Sequence, residues 1–96
     1  MSEVTINLVF DKSDSRIGGF PHGVRVYEQQ VKPFLDYSQT NVIVFPEQII
    51  KVASSFTQGF FSEIVKKIGY EGIDKTIVIK GSSDKLVEDI KADLMS

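Results

Sequence analysis

Apolar and polar positions alternate over residues 3–10, which predicts a strand. Val4, Ile6, Leu8 and Phe10 point one way and Thr5, Asn7 and Val9 the other, so one face is better buried. Residues 11–22 form a turn-rich loop in which Ile17 marks a short strand or turn. Val24, Tyr27, Val31, Phe34 and Leu35 then share one face of a helix expected from Gly23 to about Asp36. Pro33 removes a hydrogen bond late in that run and predicts a kink or break. Val42-Ile43-Val44-Phe45 is continuously apolar, as in a central strand buried on both faces, and Pro46 ends it. Ile49, Ile50 and Val52 make a further apolar patch, expected as an extended connection packed on the sheet.

The most informative stretch follows, Ala53 to Phe61 and the helix it opens. Phe56, Phe60, Phe61, Ile64, Val65 and Ile68 lie on one helical face, with Glu63, Lys66 and Lys67 opposite. Ser55 and Gln58 have capping-box spacing, which would place Ser54 just outside the helix with no obligatory partner. Gly59 costs about 1 kcal/mol relative to alanine inside a helix, and a close contact with backbone or a partner would account for it. Gly69 marks the expected helix end, and residues 70–74 a connection. Thr76-Ile77-Val78-Ile79-Lys80 predicts another buried strand. Ser82 or Ser83 caps a last helix whose apolar face is Leu86, Val87, Ile90, Leu94 and Met95.

Strand–helix alternation of this kind implies an α/β layered domain with a mostly parallel central sheet and three main helices. Parallel strands would bring the loops Asp11–His22, Pro46–Ser54 and Gly81–Ser82 to one sheet edge, where ligands or partners usually sit. A length of 96 residues fits a single domain, 1–96. Either apolar strand, 3–10 or 76–80, offers an edge for pairing with a second copy, so a homo-oligomer stays open.

Composition narrows the chemistry. The net charge of −2 advertises no nucleic-acid surface. With no cysteine, disulfides, thiolate metal sites and cysteine nucleophiles are all excluded. No apolar run reaches membrane-spanning length and the start shows no signal-peptide pattern, so a cytoplasmic protein with no membrane partner is expected. His22 is the sole histidine, in a loop, and reads as solvated or as a local hydrogen-bond donor. No catalytic residues, metal site or cofactor are expected, and the chain reads as non-enzymatic.

The segment Val42-Ile-Val-Phe followed by Ile49-Ile-Lys-Val-Ala-Ser-Ser-Phe-Thr-Gln-Gly-Phe-Phe-Ser-Glu-Ile-Val resembles the core of the STAS-like family. That family has no settled function and is related to STAS domains (sulphate transporter and anti-sigma-factor antagonist). His22-Gly-Val-Arg-Val-Tyr and Val31-Lys-Pro-Phe-Leu are similar to the family's preceding helix, and the resemblance covers roughly residues 14–94. It implies a small STAS-like layered fold. In phospho-regulated STAS antagonists the matching turn reads Asp-Ser-Ser-Gly, and a partner kinase phosphorylates its first serine. Ser54 occupies that position, while Ala53 and Phe56 stand where the aspartate and glycine would be.

The function expected from this resemblance is a regulatory, protein-interaction module. Its partner would be a protein, with a kinase-like ATP-binding protein as the candidate class, docking on Ser54, Ser55, Phe56, Thr57, Gln58 and Phe60. Ser54 is the candidate phosphorylation site. Of the adjacent Phe60 and Phe61, either both are core or one lies at the edge of the face. The alternative is a small-ligand or anion sensor at the converging helix N-termini, using Arg16, Gly23, Arg25 and Ser82. The glycines at 18, 19 and 23 lack the Gly-Lys-Ser/Thr ending of a phosphate loop.

Overall fold

The computed structural model describes residues 3–95. Its order is β1 (Glu3–Asn7), β2 (Arg16–Ile17), α1 (Phe20–Val26), β3 (Thr40–Val44), β4 (Lys51–Val52), α2 (Ser54–Thr76), β5 (Ile77–Lys80) and α3 (Asp84–Met95). β1, β3 and β5 form a fully parallel sheet in that spatial order, with Ile6, Ile43 and Ile79 in register across it. β2 and β4 pair in parallel as a separate two-stranded ribbon. The expected class, α/β with three helices and a parallel central sheet, is observed among the described residues.

Both crossovers step in the same direction across the sheet. Right-handed connections of that kind put their helices on one face. Burial agrees with this. Ile6, Ile43, Ile77 and Ile79 join one core with Phe45, Phe56, Phe60, Phe61 and Ile64. Val42 is buried but stands outside that core, between exposed Thr5 and Val78.

Several boundaries differ from the sequence expectation. β1 is shorter than residues 3–10, because Gln30 clamps both backbone groups of Val9, at 2.7 and 2.9 Å, and draws the chain off the sheet. The first helix starts at Phe20, not Gly23, since Pro21 suits a first helical turn. It ends as a π-helical turn, Tyr27–Val31, in which the Lys32 N–H reaches back five residues to the Tyr27 carbonyl. Pro33 follows directly, and the chain leaves the helix there instead of reaching Asp36.

The first part of α2 ends at Gly69 as expected, but residues 70–74 are not a plain connection. That residue adopts φ 67°, ψ 178°, a conformation essentially confined to glycine, and the chain then resumes as a helical segment up to Thr76. β5 is buried on one face only, through Ile77 and Ile79. It is an edge, and Val78 is 40% exposed. Ile50 is exposed too, whereas Ile49 and Val52 are buried as expected. Ser83 caps α3 by accepting the Leu86 N–H at 3.1 Å. Leu86, Ile90 and Leu94 are buried, but Met95 is exposed.

α1 and α2 cross at two glycines. A Cβ on Gly23 would lie 2.2 Å from the Phe56 carbonyl oxygen, and one on Gly59 would lie 2.2 Å from the Phe20 carbonyl oxygen. Each helix therefore takes the other's backbone into a notch where a side chain would stand. The close contact expected at Gly59 is this one.

Candidate functional site

The segments that follow β1, β3 and β5 meet at the C-terminal edge of the sheet and are tied together there. The Ser15 carbonyl accepts the Ile50 N–H at 2.8 Å, and the Ile17 carbonyl accepts the Ala53 N–H at 2.8 Å. Gln48 donates to the Asp14 carbonyl at 3.2 Å and also to that of Asp11. Ser82 donates its hydroxyl to the Ile49 carbonyl at 2.9 Å. These bonds hold the three segments in one arrangement, and α2 starts from its middle.

α2 begins without a side-chain cap. Ala53 occupies the cap position in extended conformation, and both serines lie in the first turn. The expected capping box is therefore absent. Ser55 instead accepts the N–H of Gly19, 36 residues earlier, at 3.0 Å. Gln58 reaches the Asp93 carbonyl on α3 and takes no part in capping. The physical reason is the glycine notch, which brings the start of α1 against the first turns of α2 and puts Gly19 within reach of Ser55. The Ser54 hydroxyl is exposed and makes no hydrogen bond among the described residues.

Burial reduces the expected docking set. Phe56, Phe60 and Thr57 are at most 1% exposed, so none can touch a partner. Phe61 is equally buried, so both members of the Phe60–Phe61 pair are core. Phe56 stacks on Phe60 at 5.7 Å, and Phe45, Tyr27 and Phe61 surround Phe60. Ser54, Ser55 and the half-buried Gln58 remain at the surface.

The expected anion set is not brought together either. Because α1 starts early, Gly23 is buried inside it and its N–H is satisfied by the Gly19 carbonyl at 3.0 Å. Arg25 falls in the last turn of α1, away from that helix's positive end. Arg16 lies on β2 in register with Lys51, and Ser82 is engaged with Ile49. His22 packs edge-on against Phe56 at 5.2 Å, and its Nδ1 faces the Gly18 carbonyl at 3.3 Å. No group of three acidic, histidine or cysteine side chains among the described residues could hold a metal ion. No helix among them is long and apolar enough to cross a membrane.

One polar centre escaped the sequence reading. The Tyr27 hydroxyl donates to Glu63 at 2.5 Å, and Lys32 and Lys67 approach the same carboxylate at 3.4 and 4.0 Å. The Lys67 ammonium also sits over the Tyr37 ring at 5.9 Å. Burial, followed by the bond to Glu63, pushes the Tyr27 hydroxyl far above its ordinary value. The Tyr27 hydroxyl, and after it Lys32 and Lys67, hold the Glu63 carboxyl below its own. The Glu63–Lys67 spacing of four was visible in the sequence. Tyr27 was not, because it counts as an apolar position on its helix face.

Comparison with protein-family models, with curated proteins and with solved structures gives no match.

Proposed function

We propose that this chain is a non-enzymatic regulatory module of STAS-like layered type. It meets a protein partner at the sheet edge where α2 begins. One observation carries the reading. Of two adjacent serines in the first turn of α2, Ser55 is engaged in holding Gly19, while Ser54 is exposed and unengaged. A phosphate on Ser54 would add nearly two negative charges beside an uncapped helix start. The local dipole tolerates that charge, and any surface docked there would feel it. The core would not have to rearrange, since Ser54 is exposed whereas Phe56 and Phe60 are buried away from it. A kinase-like ATP-binding protein is the partner class that fits the resemblance of the Ser54-Ser55-Phe56 turn, and a cytoplasmic setting goes with it. The anion-sensor reading is weaker, because Gly23 is buried and Arg25 lies at the wrong end of its helix.

The test is site-specific photo-crosslinking in the native host, with the probe at exposed Lys51 and a control probe at exposed Glu28. One discrete protein adduct is expected from position 51 and none from 28. Ser54→Asp should abolish that adduct and Ser54→Ala should leave it. No adduct at 51, or the same adduct from 28, would overturn the reading. An adduct indifferent to Ser54→Asp would remove the switch.

A further inference from the structure

The geometry points to a twofold-symmetric dimer of this chain, formed by antiparallel pairing of β5 with β5 of a second copy. Three of the large apolar side chains left exposed, Tyr70, Val78 and Met95, border one groove. It encloses about 500 Å³ and runs along the free edge of β5 between the helical segment after Gly69 and the end of α3.

The backbone at the bottom of this groove is unpaired. Within a strand, the N–H and C=O of one residue face one side and those of the next face the other. The Lys80 carbonyl accepts the Phe45 N–H at 2.8 Å, so the backbone groups of Lys80 and Val78 face β3. Those of Ile77 and Ile79 therefore face outward. The Ile77 N–H is satisfied by the Ile73 carbonyl. This leaves the Ile77 carbonyl and both groups of Ile79 without a backbone partner among the described residues. The opposite edge of the sheet is defended. Glu3, Thr5 and Asn7 are its exposed side chains, and Gln30 closes the backbone of Val9 just beyond it.

A second copy fits this edge because of its charge order. Acidic Glu71 and Asp74, with Lys75 beside them, precede β5 and Lys80 ends it, all four exposed and in no ion pair among the described residues. A twofold axis through Val78 sets each Val78 against its copy. Each Ile79 N–H then donates to the Ile77 carbonyl opposite. Thr76, the last residue of the helical segment, faces Lys80 of the other copy, and Asp74 lies in the same segment just before it. The segment that carries Glu71 and Asp74 in each copy thus approaches the basic end of β5 in the other, and the exposed valine is covered.

Sedimentation velocity from low micromolar to millimolar concentration tests this, with unfolding curves to confirm that each variant is folded. The wild-type chain is expected to dimerise. Val78→Lys sets like charges on the axis and should weaken association at least about 100-fold. Lys80→Glu should weaken it about 10-fold, and adding Asp74→Lys should restore it. Exchange of the Ile79 amide should slow as concentration rises. A monomer throughout the range, association untouched by Val78→Lys, or Ile79 exchange independent of concentration would each overturn the proposal.

Discussion

Replacing Gly59 with alanine tests the helix crossing most directly, because two physical effects of opposite sign compete there. Helix propensity alone favours alanine by about 1 kcal/mol. The structure opposes it. The new Cβ would sit 2.2 Å from the Phe20 carbonyl oxygen, where ordinary contact begins near 3.4 Å, so α1 must retreat by about 1.2 Å. Both the obstructing atom and its neighbours are backbone, which cannot swing aside as a side chain would. Overpacking costs typically about 1–3 kcal/mol, and a rigid obstruction belongs at the upper end. The net expectation is destabilisation by about 2 kcal/mol, or a melting shift of roughly 8–16 °C for a domain of this size. Gly23→Ala should behave alike, since its Cβ would meet the Phe56 carbonyl oxygen at the same 2.2 Å. The double variant is more telling. Once the helices have separated for one methyl group, the second finds room, so the two costs should fall short of additivity by about 1–2 kcal/mol. Urea unfolding monitored by far-UV circular dichroism measures all three. A stabilised Gly59→Ala, or strictly additive costs, would refute the notch.

Three further outcomes are expected. Gly69→Ala should destabilise by about 1–3 kcal/mol with no steric clash, because nothing lies within 4 Å of a Cβ there and the cost is in φ 67° alone. Gly69→Asn should do no better, since ψ 178° lies outside the left-handed helical region that asparagine tolerates; a neutral Asn variant in the same unfolding assay would count against this. Thr57→Val should leave stability unchanged or raise it by about 1 kcal/mol, because the buried Thr57 hydroxyl has no hydrogen-bond partner, and a clear loss in urea unfolding would mean that it has one. Glu63 has a folded pKa below the ordinary 4.5, so its contribution is present above that pH and is lost as pH falls through the folded value. Glu63→Gln and Tyr27→Phe should both flatten the acid limb of a stability-versus-pH curve, and an equally steep limb in both would dispose of the pairing. The sign reverses for Tyr27 itself. Its raised value stabilises the fold below pH 10.0, and that contribution is lost as pH rises further.

The periodic features of the fold were legible because each depends on near neighbours in the chain. Val42 to Phe45 reads as a central strand, and Phe56 to Ile64 reads as a buried helix face. The misreadings cluster where a distant contact decides. Residues 76–80 carry the apolar run of an interior strand, yet β5 ends the sheet, and no local pattern states how many strands a sheet has. β1 stops at Asn7 because of Gln30, more than twenty residues downstream. Gly69 carried a true signal, a conformation reserved for glycine, but a break and a terminus look the same in sequence.

The same distinction governs the candidate site. Sequence spacing gives Ser55 a bonding role and leaves Ser54 free, and that division holds in the structure, though for another reason. Local rules assign Ser55 to Gln58 through a capping box. The structure assigns it to Gly19, across a helix crossing that exists only because Gly23 and Gly59 lack side chains. Gly59 was the legible half of that crossing, since a glycine in an amphipathic helix costs stability and needs a reason. Gly23 was hidden by a helix start placed three residues late, which made it look like a loop glycine suited to an anion. With α1 begun at Phe20 the two glycines become counterparts, the anion set loses Gly23, and the serine pair gains its division of labour. Ser54 is left exposed because the interhelical contact that engages Ser55 does not extend to it.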